Sequence, residues 1–186
     1  MWKALFGASL LAAVCSVATG CGKTPGSTPS ADSATPAATA TNDAQVATHL
    51  ATFDDLDFNV FSNQRWDQLQ KSHAKDIAVH WPDGHVTHGI DVHIQDLKAM
   101  FVYAPDTRIK EHPIKVGSGD WTAVYGIMEG TFTKPMPTAD GKSIAPSGKS
   151  FKLPMATFGH WKNGVMDEEY LFWDNQTYMK QIGVGQ

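Results

Sequence analysis

Among the residues able to do chemistry, Asp174 has the most suggestive neighbours. Tyr170, Phe172 and Trp173 stand beside it. An aspartate among aromatic rings loses hydration, which raises its pKa toward that of a useful general base. The same aspartate directly precedes Asn175 and a short helical segment, which it would cap equally well; the residues alone leave both readings open. His160 is its natural second group, as acid or oxyanion donor. Glu168 and Tyr170 alternate onto Asp174's face of a strand. Glu129, on a neighbouring strand, and His112, ahead of Pro113, are further polar candidates for a pocket, with Trp66 as an aromatic wall. Each of these serves as readily on an ordinary sheet surface. His80, His85, His88 and His93 invite a metal reading, but their spacing argues against it. His85 and His88 fall on opposite faces of a strand and His93 on a helix. No metal and no cofactor are expected.

The elements that must position these groups are legible in outline. Residues 45–62 read as a helix through Val46, Leu50, Phe53 and Phe61, with Asn42 or Asp43 as cap. Arg65 to Lys71 reads as a second short helix. Ile77, Val79 and Trp81 alternate as a strand, Pro82-Asp83-Gly84 turns the chain, and His85 to His88 returns. A third helix is expected between Gly89 and Tyr103. Strands dominate thereafter: Thr107 to Val116 broken at Pro113, Trp121 to Thr133, Ser150 to Lys162 and Val165 to Asp174, with a Pro- and Gly-rich loop over Lys134 to Lys149. Thr177 to Ile182 gives a last helical turn. Early helices followed by long antiparallel strands mean α+β: a curved antiparallel sheet wrapped around N-terminal helices, enclosing a pocket.

The Asn163-Gly164 turn decides which side chains meet. A two-residue turn pairs Lys162 with Val165 and sets His160 and Asp174 on opposite faces. A three-residue turn with a bulge at Gly164 pairs Trp161 with Val165 and sets both on one face.

The N-terminus reads differently. Lys3 and a short apolar run from Ala4 to Ala18 suit a secretion signal and are too short to span a membrane. The run ends at Ala18-Thr19-Gly20-Cys21, which resembles the lipobox of bacterial lipoproteins. This implies a signal peptide over 1–20, a lipidated Cys21, and a disordered linker over 21–44. Apart from Lys23, Asp32, Asn42 and Asp43, every residue from 22 to 44 is Gly, Ala, Ser, Thr or Pro. Such a tether holds its domain roughly 25–30 Å from the anchor. With Cys21 lipidated no free cysteine remains, so no disulfide, cysteine metal site or thiol nucleophile is expected. The formal charge is −4 and no basic patch appears, which sets nucleic acid aside. Gly22, where an aspartate often marks inner-membrane retention, leans toward the outer membrane.

The order of elements over 45–186 resembles the SnoaL-like polyketide cyclase and ester cyclase branch of the cone-shaped nuclear transport factor-like superfamily. Phe61-Ser62-Asn63-Gln64-Arg65-Trp66-Asp67 is similar to the loop into its second helix, and Ile77 to Pro82 to the following strand. Gly126 to Phe132 is similar to a central strand, with Phe132 where many members carry histidine. Trp161 to Tyr170, then Asp174 and Gln181-Ile182-Gly183, resembles the closing hairpin, whose shape favours the bulged register. The resemblance implies metal-independent aldol-type ring closure, a carboxylate at the position of Asp174 taking a proton beside a carbonyl. A cyclase, isomerase or hydrolase acting on a small apolar carbonyl compound is the expectation. The rival is a non-catalytic envelope module that binds a ligand or docks a protein, since fold alone does not decide. Expected partners are a small apolar ligand or substrate, the membrane through the lipid anchor and, as an open alternative, a second copy in a homodimer. The expected place is the cell envelope, periplasmic or outer-membrane side, which sits poorly with cytoplasmic polyketide synthesis.

Overall fold

The computed structural model of the protein describes residues 36–185. The expected signal peptide, Cys21 and the tether as far as residue 35 lie outside the described residues. Helix α1 (Pro36–Asp55) begins well before the expected domain start at residue 45. The linker reading is therefore corrected over 36–44. Proline is favoured at the first position of a helix and alanine is the best helix former, so Pro36, Ala37, Ala38 and Ala40 extend a helix nucleated by its packed C-terminal half. Among the described residues no helix is long and apolar enough to cross a membrane.

At Leu56 the helix widens into a π turn (Leu56–Phe61), in which Ser62 N–H bonds back to Asp57 O and Arg65 N–H to Val60 O. A 3-10 helix (Trp66–Lys71) leads into β1 (His73–His80), which turns through 82–84 into β2 (Val86–His88). Helix α2 (Ile90–Tyr103) follows, burying His93, Leu97 and Phe101. The broken strand foreseen around Pro113 is two strands, β3 (Arg108–Ile109) and β4 (Ile114–Ser118). β5 (Trp121–Thr131) is next. The expected loop over 134–149 contains a small hairpin of β6 (Met136–Pro137) and β7 (Ser143–Ile144). β8 (Ser150–Lys162), β9 (Val165–Trp173) and α3 (Asn175–Gln181) complete the chain.

The main sheet runs β2-β1-β9-β8-β5-β3, with β4 also on β5. It is antiparallel except for β1 and β9, which pair in parallel. α1, the π turn and α2 contribute to one buried cluster with the sheet, including Phe53, Val60 and Leu97 from the helices and Ile77, Leu153 and Leu171 from the strands. Trp161 is almost completely buried, stacks on His49 at 4.5 Å and donates its indole N–H to Thr122 Oγ1 at 2.8 Å. Trimming it to alanine would cost about 3–5 kcal/mol.

Asn163 and Gly164 have φ of 54° and 84°, as a two-residue type I′ turn requires. Lys162 pairs with Val165 and Trp161 with Met166, so the expected bulge at Gly164 is absent. A register shift one step further in pairs His160 with Glu168 and leaves Asp167 as the extra residue. That shift restores His160 and the 168-170-172 series to one face, and it is the outer one. Met166, Glu169 and Leu171 are buried on the inner face.

Candidate functional site

The concave side of the sheet and the helices over it enclose a cavity of ≈ 40 Å³. That is room for a few waters as the chain stands. Its wall is apolar, with Leu97, Met128 and Leu171 among its members, and is interrupted by four groups that titrate: Asp57, His73, His93 and Glu169. An open surface basin beyond it shares Trp81, Met155 and Trp173 with the wall. Trp81 and Trp173 meet edge to face at 6.2 Å. These two rings and Met155 separate the cavity from the basin.

Asp57 is the second residue of the π turn, four after Phe53, and continues the buried stripe of the first helix into the cavity wall. π turns gather at functional sites because they re-aim side chains. Its Oδ2 accepts from His112 Nε2 at 2.8 Å, and His112 Nδ1 donates to Asp54 Oδ1 at 2.7 Å. Asp54 also pairs with Lys115. Gly126 lies behind the imidazole; a Cβ there would stand 3.2 Å from His112 Cδ2. Burial pushes the Asp57 carboxyl up, by more than His112 pulls it down. Burial also lowers the His112 imidazole, but Asp57 and Asp54 outweigh it and raise it above its ordinary value. Burial raises Asp54, and Lys115 and His112 bring it below the usual carboxylate range.

Opposite stand His73, His93 and Glu169, with side chains only 1%, 3% and 6% exposed. Glu169 Oε2 lies 3.4 Å from His93 Nε2 and 3.7 Å from His73 Nε2. Burial brings His93 down to about 4, against the pull of Glu169, so this imidazole is neutral near pH 7. Burial raises Glu169, but His73 and His93 outweigh it and hold the carboxyl below its ordinary value.

A profile of the SnoaL-like polyketide cyclase family matches residues 56–182, which spans the π turn, every strand of the main sheet and α3. The chain belongs to that family. Solved structures with the same fold include IdmH of Streptomyces antibioticus, a candidate polyketide cyclase, at 20% identity and TM-score 0.62, covering 73% of this chain and 99% of IdmH. A candidate SnoaL-like polyketide cyclase from Jannaschia sp. CCS1 has 17% identity and TM-score 0.64, covering 75% and 94%. A candidate polyketide cyclase from Xanthomonas campestris pv. campestris has 16% identity and TM-score 0.64, covering 75% and 99%. At these identities the structural likeness speaks for the cone fold alone. No curated protein matches the chain.

Within this SnoaL-like domain the residues foreseen as catalytic lie outside the cavity wall. Asp174 is exposed and caps α3, accepting from the backbone of Gln176 and Thr177 and from the Thr177 hydroxyl. Those bonds, the Thr177 hydroxyl first, hold its carboxyl below the ordinary range. The expected desolvation is corrected: Asp174 is exposed, and although Phe172 and Trp173 line the same basin, that basin is open to solvent. His160 is on the outer face, bonded through Nδ1 to Asp167 at 2.6 Å. Glu168 and Tyr170 are there too, bonded to each other at 2.7 Å, with His80 2.9 Å from Glu168. Glu129 faces outward and pairs with Arg108 and Lys110 at 2.9 and 2.7 Å. Trp66 packs on Phe61 and Phe101 in the core rather than on the cavity. His112, expected to line the pocket, is buried but stands outside the cavity wall, behind Asp57.

The four histidines considered together stay apart. His80 is on the outer face, His85 pairs with Asp83 at the turn, His88 is exposed, and only His93 enters the cavity. The residues missed were Asp57, His73 and Glu169. A signal existed for the first: a carboxylate four after Phe53 and three before Val60 interrupts an apolar helix face.

Proposed function

We propose that this protein is an acid–base catalyst of the cyclase or isomerase type, acting on a small apolar carbonyl compound held inside the cone. One observation carries the reading: Asp57, a carboxyl only 14% exposed whose desolvation raises its proton affinity, lines an apolar cavity and is tied at 2.8 Å to His112. A desolvated carboxylate next to a bound carbonyl compound is the arrangement that takes a proton from the carbon beside the carbonyl. His112, Asp54 and Lys115 then form a chain from that base toward the surface. His93, a neutral imidazole in the opposite wall, is the group able to donate to the enolate oxygen. Family membership supports the reaction class. Because the cavity is small, substrate enters by displacement of Trp81, Trp173 or Met155 from the basin side.

The same proposal places the domain in the cell envelope, exported by residues 1–20 and anchored by lipid on Cys21. The apolar run to Ala18 and the Ala18-Thr19-Gly20-Cys21 sequence support it. A second reading, docking of an envelope protein or of a second copy, draws on the sheet's outer face, where Trp121, Phe158 and Phe172 are 42%, 43% and 52% exposed.

Proton exchange tests the catalytic reading without requiring the true substrate. In deuterated water the protein should speed deuterium uptake beside the carbonyl of small apolar ketones, followed by mass spectrometry. Asp57→Asn should remove the acceleration. Equal exchange by parent and variant, or none by the parent across a broad ketone and ester panel, would refute it.

A further inference from the structure

We infer that His73, His93 and Glu169 form a binding site for a divalent transition-metal ion, with open coordination positions toward the cavity. The three donor atoms lie within 4.8 Å of one another, and all three residues are buried. They come from three separate elements: the first residue of β1, the first turn of α2 and the middle of β9. Two imidazoles and one carboxylate on one side of a cavity is a donor set suited to zinc or iron(II).

The distances favour an ion over direct hydrogen bonds. Glu169 Oε2 stands 3.4 and 3.7 Å from the two ring nitrogens, longer than the usual 2.7–3.2 Å. Ligands at 2.0–2.2 Å from a tetrahedral metal are separated by about 3.3–3.6 Å. Neither His73 Nε2 nor Glu169 Oε2 has a hydrogen-bond partner, although both are buried. Unpaired groups of this kind are costly inside a protein.

The hydrogen bonds around His73 fix which nitrogen is free. Ser72 Oγ donates to Leu69 O at 3.1 Å and therefore accepts from His73 Nδ1 at 2.8 Å. That puts a proton on Nδ1 and leaves Nε2, which is aimed at Glu169, as the ring's ligand atom. With the ring neutral, the Nε2 lone pair and the Glu169 carboxylate oxygen repel; a cation between them satisfies both. Orientation of a ligating histidine by a bond at its other nitrogen is a regular feature of metal sites. The charges also close: with Asp57 ionised, the two carboxylates balance a dication between neutral imidazoles. The ion's part in catalysis, as a Lewis acid on the carbonyl oxygen, rests on the proposed function; its presence does not.

The test is cobalt(II) titration of the untagged, chelator-stripped full chain. The expected result is saturable binding of about one cobalt per chain, a visible absorption band of low-symmetry cobalt and a rise in Tm, with zinc competing for the same site. Glu169→Gln should weaken binding by roughly a hundredfold or more, and His93→Gln likewise. Asp57→Asn should still bind cobalt while losing proton exchange, which separates this site from the proposed base. Should a ligand variant fail to fold, the parent's own titration decides. A stripped parent with no absorption band and no Tm change in millimolar cobalt overturns the site, as does unchanged affinity in a folded Glu169→Gln variant. Proton exchange that persists in such a parent leaves the acid–base reading standing alone.

Discussion

His112 Nε2 stands 2.8 Å from Asp57 Oδ2, joining a carboxylate that faces the cavity to an imidazole that does not. The other ring nitrogen is bonded to Asp54, so both nitrogens donate and the ring is an imidazolium between two carboxylates. Buried groups so tied are strongly oriented, and each supports the charge of the next.

The stability of this arrangement depends on pH with a definite sign. His112 has a folded-state pKa above its ordinary 6.5. Its contribution is therefore fully present below that value and is lost as pH rises through the raised one. Tm should fall as pH climbs from about 6.5 into the alkaline range. His112→Gln should be less stable near neutrality and should lack this part of the slope. A variant with the parent's alkaline slope would remove His112 from the account. Thermal melts across a pH series make the comparison.

Anchoring is tested at one atom. Cys21→Ser should release the protein into the soluble envelope fraction or leave it with an uncut N-terminus, as fractionation and mass spectrometry of the N-terminus would register. Continued membrane association with a normally cut N-terminus would contradict the lipoprotein proposal.

The elements were largely legible because their signals are local. Asn163-Gly164 marks its hairpin, Pro113 splits β3 from β4, and Pro82-Asp83-Gly84 turns β1 into β2. The inner face was harder to read. On β9 both faces carry large apolar groups, Tyr170 and Phe172 on one and Leu171 and Trp173 on the other, so alternation alone could not choose between Glu168 and Glu169. The choice is made by the extra residue at Asp167, a shift that has no turn residue to announce it. His73 was invisible for a related reason: it opens a strand and meets Glu169 through the parallel pairing of β1 with β9 and His93 through the packing of α2, contacts between distant parts of the chain. Asp174 misled because aromatic neighbours do not desolvate a carboxylate that stands at an open basin where the chain leaves the sheet for a helix. Its short side chain was taken up by the three hydrogen bonds of the cap.

The placement of the reacting carboxylate inside the cone is the central claim. It is tested most directly by turnover of one carbonyl substrate with the parent, Asp57→Asn and Asp174→Asn side by side. Asparagine matches aspartate in size, and it caps a helix about as well. Asp57→Asn should keep the fold and lose roughly a hundredfold or more in rate. Asp174→Asn should match the parent in both rate and Tm. A full rate in Asp57→Asn, or a comparable loss in a well-folded Asp174→Asn, would contradict the account and return the chemistry to the rim of the open basin.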